Sequence, residues 1–138
     1  MEASGTPFDP AFGSEGGGSR VELTLEPTPR APATARRELS RLGVRLPEDV
    51  LADVQTLVSE LVTNGVRYGP GEPIDVRVWI EEDDGVCGEV ADHGEGEPRE
   101  RAAGDPATGG LGLRIVDGIA EEWGTAGHGS DVWFRVGV

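Results

Sequence analysis

The longest helical pattern in the chain runs from Pro47 to Tyr68. Its apolar residues fall at Val50, Leu51, Val54, Leu57, Val58, Leu61, Val62 and Val66, and gaps of three and four are the period of one helix face. Pro47 lies near the first turn, with Glu48 and Asp49 at the positive end, and both features open a helix. Gly69-Pro70-Gly71 stops it. Shorter patterns flank this element. Val21 to Leu25 alternates and predicts a strand, broken by Pro27 and Pro29. Ala31 to Leu42 predicts a helix ended by Gly43. Ile74 to Ile80 alternates, Asp84-Gly85 turns, and Val86 to Asp92 returns as its partner strand. Leu111 to Ala120 predicts a third helix, and Trp123–Thr125 and Asp131–Val136 a closing strand pair around a turn at 127–130.

The strands cluster late and pair antiparallel, which excludes a doubly wound parallel sheet. The predicted architecture is an α+β two-layer sandwich: one mixed, mainly antiparallel sheet covered on one face by about three helices. Residues 1–20 are rich in Gly, Ser, Pro and Ala, with Phe8 and Phe12 as the large apolar exceptions. They predict a flexible tail ahead of a single domain over 21–138. A length of 138 residues suits one domain with one core.

Charge changes the picture next. The net charge is −14, and a surface this acidic repels nucleic-acid backbones, so direct binding to nucleic acid is not expected. Any phosphate site must be local, built from backbone N–H groups, a metal ion and one or two basic residues. The single cysteine, Cys87, excludes an internal disulfide and a multi-cysteine metal site. No apolar run approaches the ~20 residues that span a bilayer, and the N-terminus lacks the pattern of a secretory signal. A cytoplasmic protein without a membrane segment is expected.

Three stretches carry candidate chemistry. On the long helix, about 100° per residue places Glu60, Asn64 and Arg67 within roughly 60° of one another, a polar stripe beside the apolar face. Asp92 ends a strand and is followed by Gly94 and Gly96, where backbone can approach a ligand closely. Gly110-Leu111-Gly112-Leu113 leads into a helix, and a helix N-terminus exposes N–H groups to a phosphate. Each has a plain reading as well: solvent charges, an Asp-x-Gly turn, glycines before a helix. The third stretch is neither a Walker A motif nor a Rossmann fingerprint. His93 and His128 have no Cys/His cluster around them, and metal ligation by either is not expected.

Taken together and in this order, Glu60-x-x-x-Asn64, Asp92-x-Gly94-x-Gly96 and Gly110-Leu111-Gly112-Leu113 resemble the N, G1 and G2 boxes of the gyrase–Hsp90–histidine-kinase–MutL ATPases, which share the Bergerat fold. Residues Ser59 to Gly69, the Trp123-Gly124 pair and the strand Gly129 to Trp133 look more narrowly like the stand-alone anti-sigma-factor serine/threonine kinases of bacteria. The resemblance implies an ATP- and Mg²⁺-using regulatory kinase that phosphorylates a serine on an anti-sigma-factor antagonist, sequesters a sigma factor, or does both, with a homodimer as its assembly. It implies that Asn64 is the Mg²⁺ ligand, Glu60 the general base, Arg67 a phosphate partner and Asp92 the group that binds the adenine amine. Gly94 and Gly96 make room for the base, 97–109 form a lid, and Gly110 to Leu113 cradle the phosphates.

The chain departs from the family pattern in places. Ser130-Asp131 stands where Lys-Thr is usual, which puts Asp131 in the adenine site beside Asp92, where paired carboxylates raise one pKa. Gly65 replaces an alanine inside the helix, at about 1 kcal/mol in propensity. Tyr68 stands where histidine is common. Ala107-Thr108-Gly109 offers no cation to the γ-phosphate. The alternative is a non-catalytic, ATP-gated partner-binding module on the same fold.

Overall fold

The computed structural model describes residues 19–83, 85–93, 110–126 and 131–137. The elements are β1 (Arg20–Leu25), α1 (Ala31–Leu39), a 3₁₀ turn (Ser40–Val44), α2 (Glu48–Tyr68), β2 (Ile74–Ile80), β3 (Val86–Ala91), α3 (Gly110–Ile119), β4 (Glu122–Ala126) and β5 (Asp131–Val136). The strands form one sheet in the order β1-β2-β3-β5-β4. Every pairing in it is antiparallel, so the expected mixed sheet is a purely antiparallel one among the described strands. Of the predicted tail, Ser19 and Arg20 fall inside the described body, Arg20 opening β1, and 1–18 lie outside it.

Strand alternation divides the sheet into two chemically different faces. Val21 and Leu25, Ile74, Val76 and Val78, Val86 and Val90, and Phe134 and Val136 are buried on the face that meets the helices. The helices answer with Ala31, Ala35 and Leu39 of α1, with Val54, Leu57, Val58, Leu61 and Val62 of α2, and with Val116 of α3. The helical run predicted over 31–42 divides at Ser40, whose Oγ bonds back to Arg36 O at 3.3 Å. The tighter 3₁₀ turn that follows buries Leu42 and turns Val44 outward, 79% exposed. Arg30, Arg36, Arg37, Arg41 and Arg45 are all exposed along this segment. Glu38 is the one acid between Glu26 and Glu48, so an arginine belt crosses an otherwise acidic molecule.

One glycine is required at the centre of the sheet. Gly88 pairs with Phe134, and a Cβ on Gly88 would stand 2.3 Å from the Phe134 ring. The fully buried ring fills the space that a side chain on β3 would need.

Among the described residues the other face carries no helix and is covered by its own polar side chains. Cys87, Trp79 and Arg135 lie in one row across β2, β3 and β5. Arg135 spans the row, bonding Asp83 at 2.6 Å and Glu121 at 3.2 Å, with a guanidinium nitrogen 3.7 Å from Cys87 Sγ. Trp79 donates to Glu81 at 2.5 Å and lies beneath the Arg20 guanidinium. In the next row Arg77 pairs with the buried Glu89. Burial holds the Glu89 carboxyl above its ordinary pKa; Arg77 opposes that shift and the Asp131 carboxylate adds to it. Burial, reinforced by the Glu81 charge, pushes the Cys87 thiol up to about 12.

Two outcomes follow from this packing. Gly88→Val is expected to cost about 1–3 kcal/mol, the usual scale of core overpacking, read as a lower urea midpoint. For Cys87, the unfolded thiol ionises near 9 and the folded one only near 12. The folded state therefore binds the extra proton in that window, and stability falls as pH rises through it. Urea titrations from pH 8 to 11 should show wild type losing stability relative to Cys87→Ala. A constant difference between the two would contradict the assignment.

Candidate active site

The site is built on the C-terminal half of α2. The apolar stripe of that helix faces the sheet and leaves Glu60 and Asn64 half-buried at its margin, with Arg67 exposed one turn on. Nearby hydroxyls are satisfied within the helix: Ser59 Oγ donates to Thr56 O at 3.1 Å, and Thr63 Oγ donates to Ser59 O at 2.7 Å. Among the described residues, the side chains of Glu60 and Asn64 have no hydrogen bond or ion pair. A half-buried carboxylate and amide in that condition are open to water or to a ligand. Arg67 lies over the Tyr68 ring, 5.4 Å from its centroid.

Asp92 follows β3 directly and is 4% exposed. It lies against Gly65 of α2 and Gly69, the residue that caps the helix. A Cβ on Gly65 would lie 3.3 Å from Asp92 Cβ and 3.0 Å from Ile74 Cδ1. At Gly69 it would lie 2.4 Å from the Gly65 carbonyl oxygen and 3.5 Å from Asp92 Cβ. At Gly65 the close approach is to the end of β3; at Gly69 it is to the helix's own carbonyl, with Asp92 at ordinary contact distance. Gly65 follows Asn64 in sequence, so the amide and the buried carboxylate belong to one locality. The propensity cost of Gly65 within the helix is offset by this close approach. Glycines four apart, on the helix face turned to an Asp-terminated strand, were the signal.

Asp131 is not brought to this locality. It pairs with Ala91, and alternation puts both on the open face of the sheet, opposite to Asp92. There Asp131 lines a cleft of about 520 Å³ with Glu22, Asp75, Arg77, Glu89 and His93. The expectation that Asp131 sits beside Asp92 in an adenine site is thereby corrected: a one-residue step along a strand changes the face. Gly94, Gly96 and the predicted lid lie outside the described residues. The Gly110-Leu111-Gly112-Leu113 stretch is the first turn of α3, which begins at Gly110, one residue ahead of the predicted start at Leu111. Its backbone N–H groups have no partner within the helix and stand at the positive end of its dipole. α3 packs on α2 and buries Val116.

The residues fit a Mg²⁺-nucleotide. The described part of the chain has no group of three or more His, Cys, Asp or Glu able to hold a metal. A cation here would take one amide oxygen from Asn64 and the rest of its ligands from phosphates and water, which is the habit of Mg²⁺. The glycine cradle around Asp92 leaves a buried carboxylate able to accept from an exocyclic amine.

Residues 25–136 match the histidine kinase-like ATPase domain, and the chain belongs to that family. Its fold is similar to that of a chain in the crystal structure of the RsbU and RsbW domains of Rv1364c from Mycobacterium tuberculosis, with a TM-score of 0.64 at 20% identity. The similarity covers 85% of this chain and 31% of that one, so this chain spans about a third of that structure's length. No curated protein matches the sequence. No helix among the described residues is long and apolar enough to cross a membrane.

Proposed function

We propose that the protein binds Mg²⁺-ATP between α2, the end of β3 and the first turn of α3, and acts as a regulatory serine/threonine kinase of the anti-sigma-factor type. One observation carries the reading: Glu60 and Asn64 stand half-buried and without partners among the described residues, on the helix that seats Asp92. The fold's likeness to a chain holding an RsbW domain and the order of the boxes support it. Asn64 would hold Mg²⁺, which when bound neutralises the phosphate charge. Asp92 would orient the base by accepting from its amine. Glu60 would take the proton of the attacking serine hydroxyl as its oxygen bonds to the γ-phosphorus and the bond to ADP breaks. This is positioning and charge neutralisation, the usual content of phosphoryl-transfer catalysis. The phosphorylated partner would be an anti-sigma-factor antagonist, the sequestered partner a sigma factor, and the assembly a homodimer in the cytoplasm.

A second reading keeps the nucleotide and loses the transfer. Its motive is the run Ala107-Thr108-Gly109, which places no cation immediately before Gly110. The protein would then be an ATP-gated binding module.

Titration calorimetry should give Mg²⁺-ATP binding in the micromolar range, about −8 kcal/mol, lost in Asn64→Ala and in Asp92→Asn. Absence of binding by folded, nucleotide-free wild type would overturn the reading. Phosphoryl transfer is a separate test. With ³²P-labelled ATP and the cognate antagonist, Glu60→Gln should lower the rate by roughly 10²–10⁴-fold while binding ATP like wild type. Binding without transfer in wild type would select the second reading.

A further inference from the structure

The residue after Asp92 has its own arrangement. His93 has φ 63°, the one positive value at a non-glycine residue among the described residues. Histidine tolerates that region better than most residues but still pays for it. Its ring reaches the open face of the sheet, where Nε2 is 2.8 Å from Asp75 Oδ2. A carboxylate only accepts, so Nε2 carries the proton. The other oxygen of Asp75 accepts from Thr24 Oγ at 2.8 Å. Thr24, Asp75 and Ala91 stand in one row across β1, β2 and β3, so the turn after β3 is tied back to neighbouring strands.

The His93 and Asp75 side chains are 48% and 44% exposed. A pair that open contributes little to global stability. Its effect is local, on the direction in which the chain leaves β3. That direction also sets Asp92, one residue earlier and on the opposite face, against Gly65 and Gly69.

We propose that His93 and Asp75 are positioning residues of the nucleotide site. Their contact on the open face of the sheet holds the left-handed turn that fixes Asp92 on the helix face. This rests on the nucleotide reading above and adds to it two residues outside the three sequence boxes. Neither touches the bound nucleotide; both act through Asp92.

The test is Mg²⁺-ATP affinity by titration calorimetry, with thermal melting in parallel, on the full chain. His93→Ala and Asp75→Ala are each expected to weaken binding on the order of tenfold, the scale on which outer-shell partners act. The double variant should be no weaker than either single one, because both remove the same contact. His93→Asn, which accepts the left-handed region and can donate to Asp75, should restore affinity toward wild type. Melting should be unchanged throughout. Wild-type affinity in both alanine variants would overturn the proposal. So would additive losses, or losses that track a fall in melting temperature. If wild type itself binds no nucleotide, the parent reading falls and the proposal with it, whereas binding in wild type that the substitutions leave intact removes the proposal alone.

Discussion

The seating of α2 against the end of β3 is the contact on which the rest depends. At Gly65 there is little room for a methyl group, since it would stand 3.3 Å from Asp92 Cβ and 3.0 Å from Ile74 Cδ1. That approach accompanies burial of Asp92, at 4% exposure, beside a helix on which Glu60 and Asn64 have no partners among the described residues. A bulky residue at Gly65 would press on Ile74 and on Asp92. Helix propensity and site geometry oppose each other at Gly65, and geometry has prevailed. Local rules tend to be broken where a protein does its work.

The sheet contributes a second constraint, the alternation of its faces. Three consecutive residues, Ala91, Asp92 and His93, serve different surroundings. Ala91 lies in the row that joins Asp75 to Asp131, Asp92 meets α2, and His93 returns to the open face to meet Asp75. The helix-covered face holds the apolar core. The open face is closed by arginine bridges over Trp79 and Cys87 and by the Arg77–Glu89 pair. A buried carboxylate with a raised pKa is tolerated there because a guanidinium opposes the shift.

Much of this was legible in the sequence, and the parts that were not share a cause. The period of α2, its start after Pro47 and its stop at Gly69 could be read because a single helix carries its own pattern. The strands could be read for the same reason. Strand order could not, because β3 pairs with β5 across the intervening α3 and β4. The face taken by Asp131 could not be read, because each step along a strand reverses the face and its pairing with Ala91 is set by a distant strand. The role of Gly65 lay in contacts with Ile74 and Asp92, residues distant in the chain. His93 looked isolated because its partner Asp75 stands 18 positions away. Local periodicity fixes elements; register and crossings decide which side chains meet.

The arginine belt along α1 and the 3₁₀ turn gives the molecule an uneven field. Of its 12 basic residues, all arginine, Arg30, Arg36, Arg37, Arg41 and Arg45 lie on this one segment, while the chain as a whole carries −14. Guanidinium charge does not titrate away at any physiological pH, so the asymmetry is permanent. At separations beyond the Debye length of ~8 Å in physiological salt, an approaching body senses mainly net repulsion or attraction from the acidic bulk. Inside that length the belt is felt as a separate region of opposite sign. The protein therefore presents an orientation to whatever comes near it, and the sharpness of that orientation is set by the ionic strength of its surroundings.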